Sequence, residues 1–225
     1  MGTGYEISFQ VVIEYFDVLL LGLLTTIEFT VICIVLGLLL GFAISLMRVS
    51  RNLGLRAIST AYVEFFRGTP VLIQLFWIFF CLPIILNVEI GNFASTVIAL
   101  TLFMGAISSE TFRAALQAIS SDQIDAGVAL GLSRFQRVRH VVFPQTIRVA
   151  IPTLLSNSVS LFKESSLVSV VGMSDLMYVG QNISNVTARP IEILTTVALL
   201  YFCVAFPMTR LVTRIEARMM EKLGD

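Results

Sequence analysis

Three ionisable residues interrupt stretches that are otherwise apolar or weakly polar: Glu110 in FMGAISSETF and the adjacent pair Lys163–Glu164 in SLFKESSLVS. A charge inside an apolar segment of membrane length is costly. It is held against protein or a water-filled path rather than lipid. Two kinds of chemistry fit Glu110: it can meet an amino or cationic group of a solute, or it can tether Arg113, one helical turn away. Lys163 and Glu164 are neighbours, so on a helix they point about 100° apart. One can line a pathway while the other braces a neighbouring helix. Ser160, Ser165 and Ser166 supply hydroxyls nearby, with Asn157 and Ser158 as weaker polar candidates. These groups suit a polar solute, and they equally suit the helix's own carbonyls.

Covalent or acid–base catalysis has little to work with. The single histidine is His140, in a polar connection, and no Ser–His or His–acid cluster falls in the apolar runs. Cys33, Cys81 and Cys203 are far apart, without metal-ligand spacing, and read as small buried hydrophobes. No GxxxxGK[ST] run exists, so the chain has no phosphate-binding loop of that type.

The elements that must position these residues are membrane helices. Of 225 residues, 56% are hydrophobic and 13% charged, against about one quarter charged in soluble domains. The mean hydropathy is +0.89. A soluble domain of this size could not cover so much apolar surface, so an all-α integral membrane protein is predicted. The formal net charge of zero argues against nucleic acid as a partner. The acidic start, with Glu6, Glu14 and Asp17, is the reverse of a cleavable signal's basic region.

Five spans are predicted within a single domain covering 1–225, at about 18–47, 70–86, 93–115, 149–171 and 193–209. The first apolar run is too long for the bilayer: thirty helical residues extend about 45 Å against a hydrocarbon layer of roughly 30 Å. Arg67, Gly68, Thr69 and Pro70 read as structural, a helix break with Thr69 as cap, Pro70 in the next first turn and Arg67 at the inner interface. Pro83 helps end the second span. Gly37 and Gly41 have the spacing that permits close helix approach. Trp77 is expected in the core or on a pathway wall. Residues 172–192, rich in Ser, Asn, Gly and Pro, read as a loop, and Pro207 lies near the end of the last span.

Five spans put the termini on opposite sides. With the N terminus outside, the inner face collects Arg48, Arg51, Arg56, Arg67, Arg113, Arg134, Arg137, Arg139, Arg148, Arg210, Arg214, Arg218 and Lys222, thirteen of fifteen basic residues. That asymmetry sets the orientation, with the connection 116–148 and the C terminus in the cytoplasm. Within the connection, Ser120/Gln123 and Ser133/Gln136 have capping-box spacing. Two short helices, about 121–130 and 133–142, are predicted to meet at a left-handed Gly131, with Pro144 stopping the second. Ile124, Val128 and Leu132 share one face, and Arg134, Arg137, Arg139 and His140 project from the second helix. Patterning alone leaves two readings: an amphipathic loop lying on anionic membrane lipid, or a rigid plug for a cytoplasmic partner.

The run DAGVALGL, separated by eleven residues from Pro144, resembles the cytoplasmic loop motif of bacterial ABC importer permeases. In that motif Glu-Ala-Ala precedes a Gly by four residues. Asp125 stands at the Glu position, Ala126 at the first Ala, Gly127 at the second and Gly131 at the Gly, with Asp for Glu and Gly for Ala as the departures. YVEFFRGTPVLIQLFWIFFCLP, ISSETFRAALQAI and FKESSLVSVVGMSDL each resemble segments of the polar amino acid branch. That branch often carries Ala-Tyr shortly before the glutamate matching Glu110, where this chain has Ile107–Ser108.

The resemblance implies a type I permease core and import of a polar amino acid or opine across the bacterial cytoplasmic membrane. It also implies a second permease subunit, identical or homologous, a cytoplasmic ATPase dimer that holds ATP and Mg, and an extracytoplasmic solute-binding protein. No cofactor is expected on this chain, which is a transport subunit and not itself an enzyme. Ile124, Asp125, Ala126, Gly127, Val128, Gly131, Arg134 and Arg137 would form the coupling helix. Glu110, Asn157, Ser160, Lys163, Glu164 and Ser165 are the pathway candidates. An unpowered channel or scaffold is the other reading of the hydropathy.

Overall fold

The computed structural model describes residues 6–224, with side chains to Met219; Lys222 of the expected basic tail lies outside the described side chains. The described chain is helical throughout, without strands. It runs as α1 (Gln10–Arg48), α2 (Leu53–Gly68), α3 (Val71–Leu86), α4 (Asn92–Gln117), α5 (Ser121–Ala129), α6 (134–164), α7 (Leu176–Thr187) and α8 (Pro190–Gly224). A tighter 3₁₀ segment, Ser165–Val171, joins α6 to α7. Three helices are long and apolar enough to cross a bilayer: α1, α4 and α8 to Met219. The pair α2–α3, bent by 109°, makes a fourth if it is one crossing.

The expected span at 149–171 is not in that set. Its α-helix begins in the polar connection and ends at Glu164, where the backbone tightens into the 3₁₀ segment. The first helix starts at Gln10, ahead of the apolar run. The expected loop 172–192 contains the 12-residue α7. Asp175 caps that helix by accepting from the Met177 and Tyr178 amides at 3.1 and 3.0 Å, so its polar residues mark a helix start rather than a loop. Pro207 lies inside α8, not near its end.

α1 packs along α4 through a stripe of small residues. The buried positions of α1 are Gly22, Thr26, Thr30, Cys33, Gly37, Gly41 and Ser45, interrupted by Leu19 and Phe29; Cys33, Gly37 and Gly41 meet α4, whereas Gly22 and Thr26 meet α7. The facing side of α4 buries Ser95, Thr96, Ala99, Gly105, Ala106, Ser108 and Ser109 with Leu100 and Met104. Small side chains let the two backbones approach, and in a bilayer that contact, not escape from water, drives helix association. Phe29, Leu75, Leu100, Met104, Leu161 and Val168 fill the main core around this seam. A second cluster, Leu19, Leu176, Ile183, Ile193 and Val197, ties α1 to α7 and α8. A third joins Phe112 and Ala115 of α4 to Ala150 and Leu154 of α6.

Large apolar side chains also cover the outside: Leu24, Leu39, Ile84 and Val186 are each more than 60% exposed. Cys33 is buried as expected, whereas Cys81 and Cys203 lie on exposed helix faces. Trp77, at 49% exposure, lines an apolar groove with Phe65, Ile73, Leu82 and Ile98 rather than filling the core.

The two prolines at helix interruptions share one local solution. Pro83 and Pro144 each sit two residues after a wide turn, Trp77–Cys81 and Val138–Val142, bonded i→i+5 at its close: the Leu82 amide donates to the Trp77 carbonyl and the Phe143 amide to the Val138 carbonyl. Widening the turn just ahead of proline leaves room for its ring where a regular turn would clash. Pro144 therefore does not stop its helix, contrary to expectation, and α6 runs on from the connection to Glu164.

Candidate functional site

The RGTP break is stitched by a residue the pattern did not single out. Gln74 donates its Nε2 to the carbonyls of Phe66 and Thr69, at 2.8 and 3.0 Å, and to Thr69 Oγ1 at 2.8 Å. Thr69 ends α2 instead of capping α3. Its hydroxyl donates back to the Phe65 carbonyl, and Pro70 takes the N-cap place with extended backbone and no side-chain bond. Gly68 has open space around it.

Arg67, just before the break, turns toward Glu110 at 3.5 Å. Arg48, from the end of α1, and Arg113, one turn along α4, bond Glu110 through Oε2 and Oε1 respectively. Arg113 also donates Nε to Oε2 at 3.3 Å and a terminal nitrogen to Gln117 at 2.8 Å. Both carboxylate oxygens of Glu110 are thus engaged by arginines from three helices. The geometry is that of a tether. The Arg113 contact follows from spacing; the convergence of Arg48 was signalled only by its place at the same end of an apolar run.

Lys163 and Ser160 lie elsewhere, in a cleft of about 130 Å³ between α6 and α8 that also presents Ser156, Thr209, Thr213 and Glu216. Glu164 does not line that cleft. It is half-buried, with Oε2 enclosed and without a hydrogen-bond partner in the described chain. Ser165 is buried, and its hydroxyl donates to the Phe162 carbonyl at 2.7 Å; Ser158 donates likewise to Leu154 and Ser166 to Lys163. Asn157 donates to Thr111 Oγ1 at 3.2 Å, linking α6 to α4. Of the polar candidates, then, Ser160 and Lys163 face open space together, while Ser165 and Asn157 hold structure.

In the connection, α5 closes with Gly131 at φ 70°. The Gly131 amide donates to the Val128 carbonyl at 2.9 Å and the Leu132 amide to Gly127 at 3.0 Å, a paired closure that needs a left-handed residue between. Ser133 and Gln136 complete a reciprocal capping box, whereas Ser120 has N-cap backbone but no side-chain bond. Gly127 is buried: a Cβ there would meet the Arg137 stem at 3.1 and 3.2 Å. The aliphatic part of Arg137 thus packs where the methyl of an alanine at this position would point. Asp125, Ala126 and Arg134 are exposed, and so are the apolar Ile124 at 39% and Val128 at 53%. Leu130 and Phe135, which fall off the face shared by Ile124, Val128 and Leu132, are more exposed still, at 78% and 71%.

A buried acid also escaped the sequence reading. Asp175 has no exposure and, besides capping α7, accepts from Tyr201 Oη of α8 at 3.2 Å. The adjacent Leu176 amide donates to Thr26 of α1 at 3.0 Å. An acid just before a helical pattern was the available signal.

Residues 33–221 match the family model described as "Binding-protein-dependent transport system inner membrane component". A Rickettsia felis protein named as a glutamine transport system permease, GlnP, is 32% identical, covering 94% of this chain and 99% of that protein. A Vibrio harveyi protein named as an amino-acid ABC transporter permease, PatM, is 34% identical, covering 94% and 96%. The structure of an amino acid ABC transporter with histidines superposes with a TM-score of 0.88 at 30% identity, covering 95% of this chain and 99% of that one. Inward-facing MetNI, a methionine ABC transporter, shares the fold at a TM-score of 0.71 and 23% identity, over 90% and 98% of the two chains. Helical fold, apolar surface and family match agree: the chain belongs to the inner-membrane components of binding-protein-dependent transport systems.

Proposed function

We propose that this chain is the permease subunit of an ATP-driven importer of a polar amino acid or related solute, with five crossings, an outer N terminus and a cytoplasmic C terminus. The near full-length relatives bearing amino-acid permease names carry this reading, and they favour a powered importer over an unpowered channel or scaffold. Charge asymmetry supports the orientation. The fifth crossing is α6 with the 3₁₀ segment, short in hydropathy because its polar residues face protein and pathway. A second permease subunit completes the path, an external solute-binding protein delivers cargo, and a cytoplasmic ATPase dimer binds ATP and Mg.

The knuckle around Gly131 seats in the ATPase. Its support is the exposed apolar set Ile124, Val128, Leu130 and Phe135 beside Arg134. Because α6 is continuous from the knuckle to Glu164, a push at the knuckle moves the helix carrying Ser160 and Lys163 as one body. Alternation of the path is then a shift between two packings of the bundle. Ser160 and Lys163 are the favoured solute contacts of this chain; Glu110 braces the inner end.

Gly131→Trp tests the coupling. The space around Gly131 is open, so the ring projects outward, and the left-handed backbone costs only about 1–2 kcal/mol. In proteoliposomes with the cognate ATPase and loaded binding protein, the variant is expected to assemble yet lose stimulated ATP hydrolysis. Full stimulation would refute the assignment.

A further inference from the structure

A second arginine-rich feature opens beside the Glu110 node. A cleft of about 370 Å³ lies between the end of α1, the start of α2 and the end of α4, lined by Arg48, Arg56, Arg113, Ser50, Thr60 and Gln117. Three guanidinium groups face it. Among the described residues, the one carboxylate ion-paired to any of them is Glu110, which Arg67 also approaches. Arg48 is only 11% exposed, yet its Nε is enclosed without a hydrogen-bond partner among the described residues. Arg56 is exposed at the rim and makes no described ion pair; Glu64, two turns further along α2, belongs with Arg56 to the neighbouring groove. The cleft therefore has surplus positive charge, hydroxyl and amide groups, and unused donor capacity at one place.

We propose that this cleft binds a phosphate group. A tetrahedral oxyanion matches forked guanidinium donors and short hydroxyls better than a point cation or an apolar group would. Bound there, it would neutralise the surplus charge and bridge the end of α1, the start of α2 and the end of α4. Two sources share this chemistry: the headgroup of an anionic phospholipid, which basic pockets between membrane helices accept, and a free phosphate ester. The binding itself does not depend on the orientation proposed above, although the leaflet supplying a lipid does. A detergent assay can therefore fail without bearing on import, and import can fail without bearing on the site.

The test uses the full chain assembled with its ATPase in detergent, with thermal unfolding followed during titration by phosphatidylglycerol, phosphatidylcholine or glycerol 1-phosphate. Phosphatidylglycerol or glycerol 1-phosphate is expected to stabilise the complex saturably. Arg56→Gln should raise the half-saturating concentration about tenfold, as loss of one charge-assisted bond implies, while Arg210→Gln on the α8 tail leaves it unchanged. Stabilisation by phosphatidylglycerol but by neither other ligand identifies an anionic lipid; an equal effect of glycerol 1-phosphate identifies a free ester. The proposal is overturned if Arg56→Gln titrates like the parent, if Arg210→Gln weakens binding as much, or if neither anionic ligand stabilises.

Discussion

Replacing Gly41 by alanine adds one methyl group at the tightest point of the α1–α4 seam. The new Cβ would stand 2.6 Å from Ser108 Cβ, 2.8 Å from the Gly105 carbonyl oxygen and 2.9 Å from the Ser109 amide nitrogen. Comfortable carbon contacts lie at about 3.5–4.0 Å, so α1 must withdraw from α4 by roughly 1 Å. Two of the three blocking atoms are backbone and cannot rotate away. Overpacking of this kind costs about 1–3 kcal/mol, and the upper end applies here. Alanine's helix preference returns up to about 1 kcal/mol, leaving a net loss of about 2 kcal/mol, or about 4–8 °C in melting temperature for a domain of this size.

Two companions calibrate the argument. At Gly37 the crowding atoms are Met104 Cβ and Cγ, both at 2.6 Å; part of that side chain can move, so Gly37→Ala should lose less. Gly68 has nothing within 4 Å, and Gly68→Ala should be neutral or slightly stabilising. The assay is size-exclusion of heated, detergent-solubilised protein followed by intrinsic fluorescence. The reasoning is refuted if Gly41→Ala melts within about 2 °C of the parent, or if Gly68→Ala falls as far as Gly41→Ala.

Two further outcomes follow from the same geometry. Glu110→Gln removes the charge that three arginines share and should cost about 2 kcal/mol, the scale of a hydrogen bond to a charged group. Melting should therefore fall while the concentration of cargo giving half-maximal uptake stays unchanged, and a large rise in that concentration with unaltered melting would instead make Glu110 a solute contact. For orientation, single cysteines at Asn87 and Gln136 in a background lacking the native three should react with a membrane-impermeant maleimide on intact cells only at position 87; labelling at 136 would reverse the proposed topology.

Much of this protein was legible in its residues because the relevant signals are local. Hydropathy marks apolar helices, and Gly131 with the Ser133/Gln136 pair announces its own turn, since backbone sign and capping depend on residues a few places apart. The limits have equally physical causes. Ser, Asn and Gly in 172–192 resemble a loop, yet Asp175 starts a helix there because Tyr201 and the α7 amides satisfy it in a buried place. Pro144 looks like a stop, and only the widened turn before it lets the helix continue. That Arg48, 62 residues away, bonds Glu110 could not be read from spacing. What the sequence alone determined was each segment's preference for membrane or water and its local backbone punctuation. The three-dimensional structure decided which charges neutralise one another, which glycines touch and which polar groups remain open, because those depend on distances between segments that no spacing along the chain encodes.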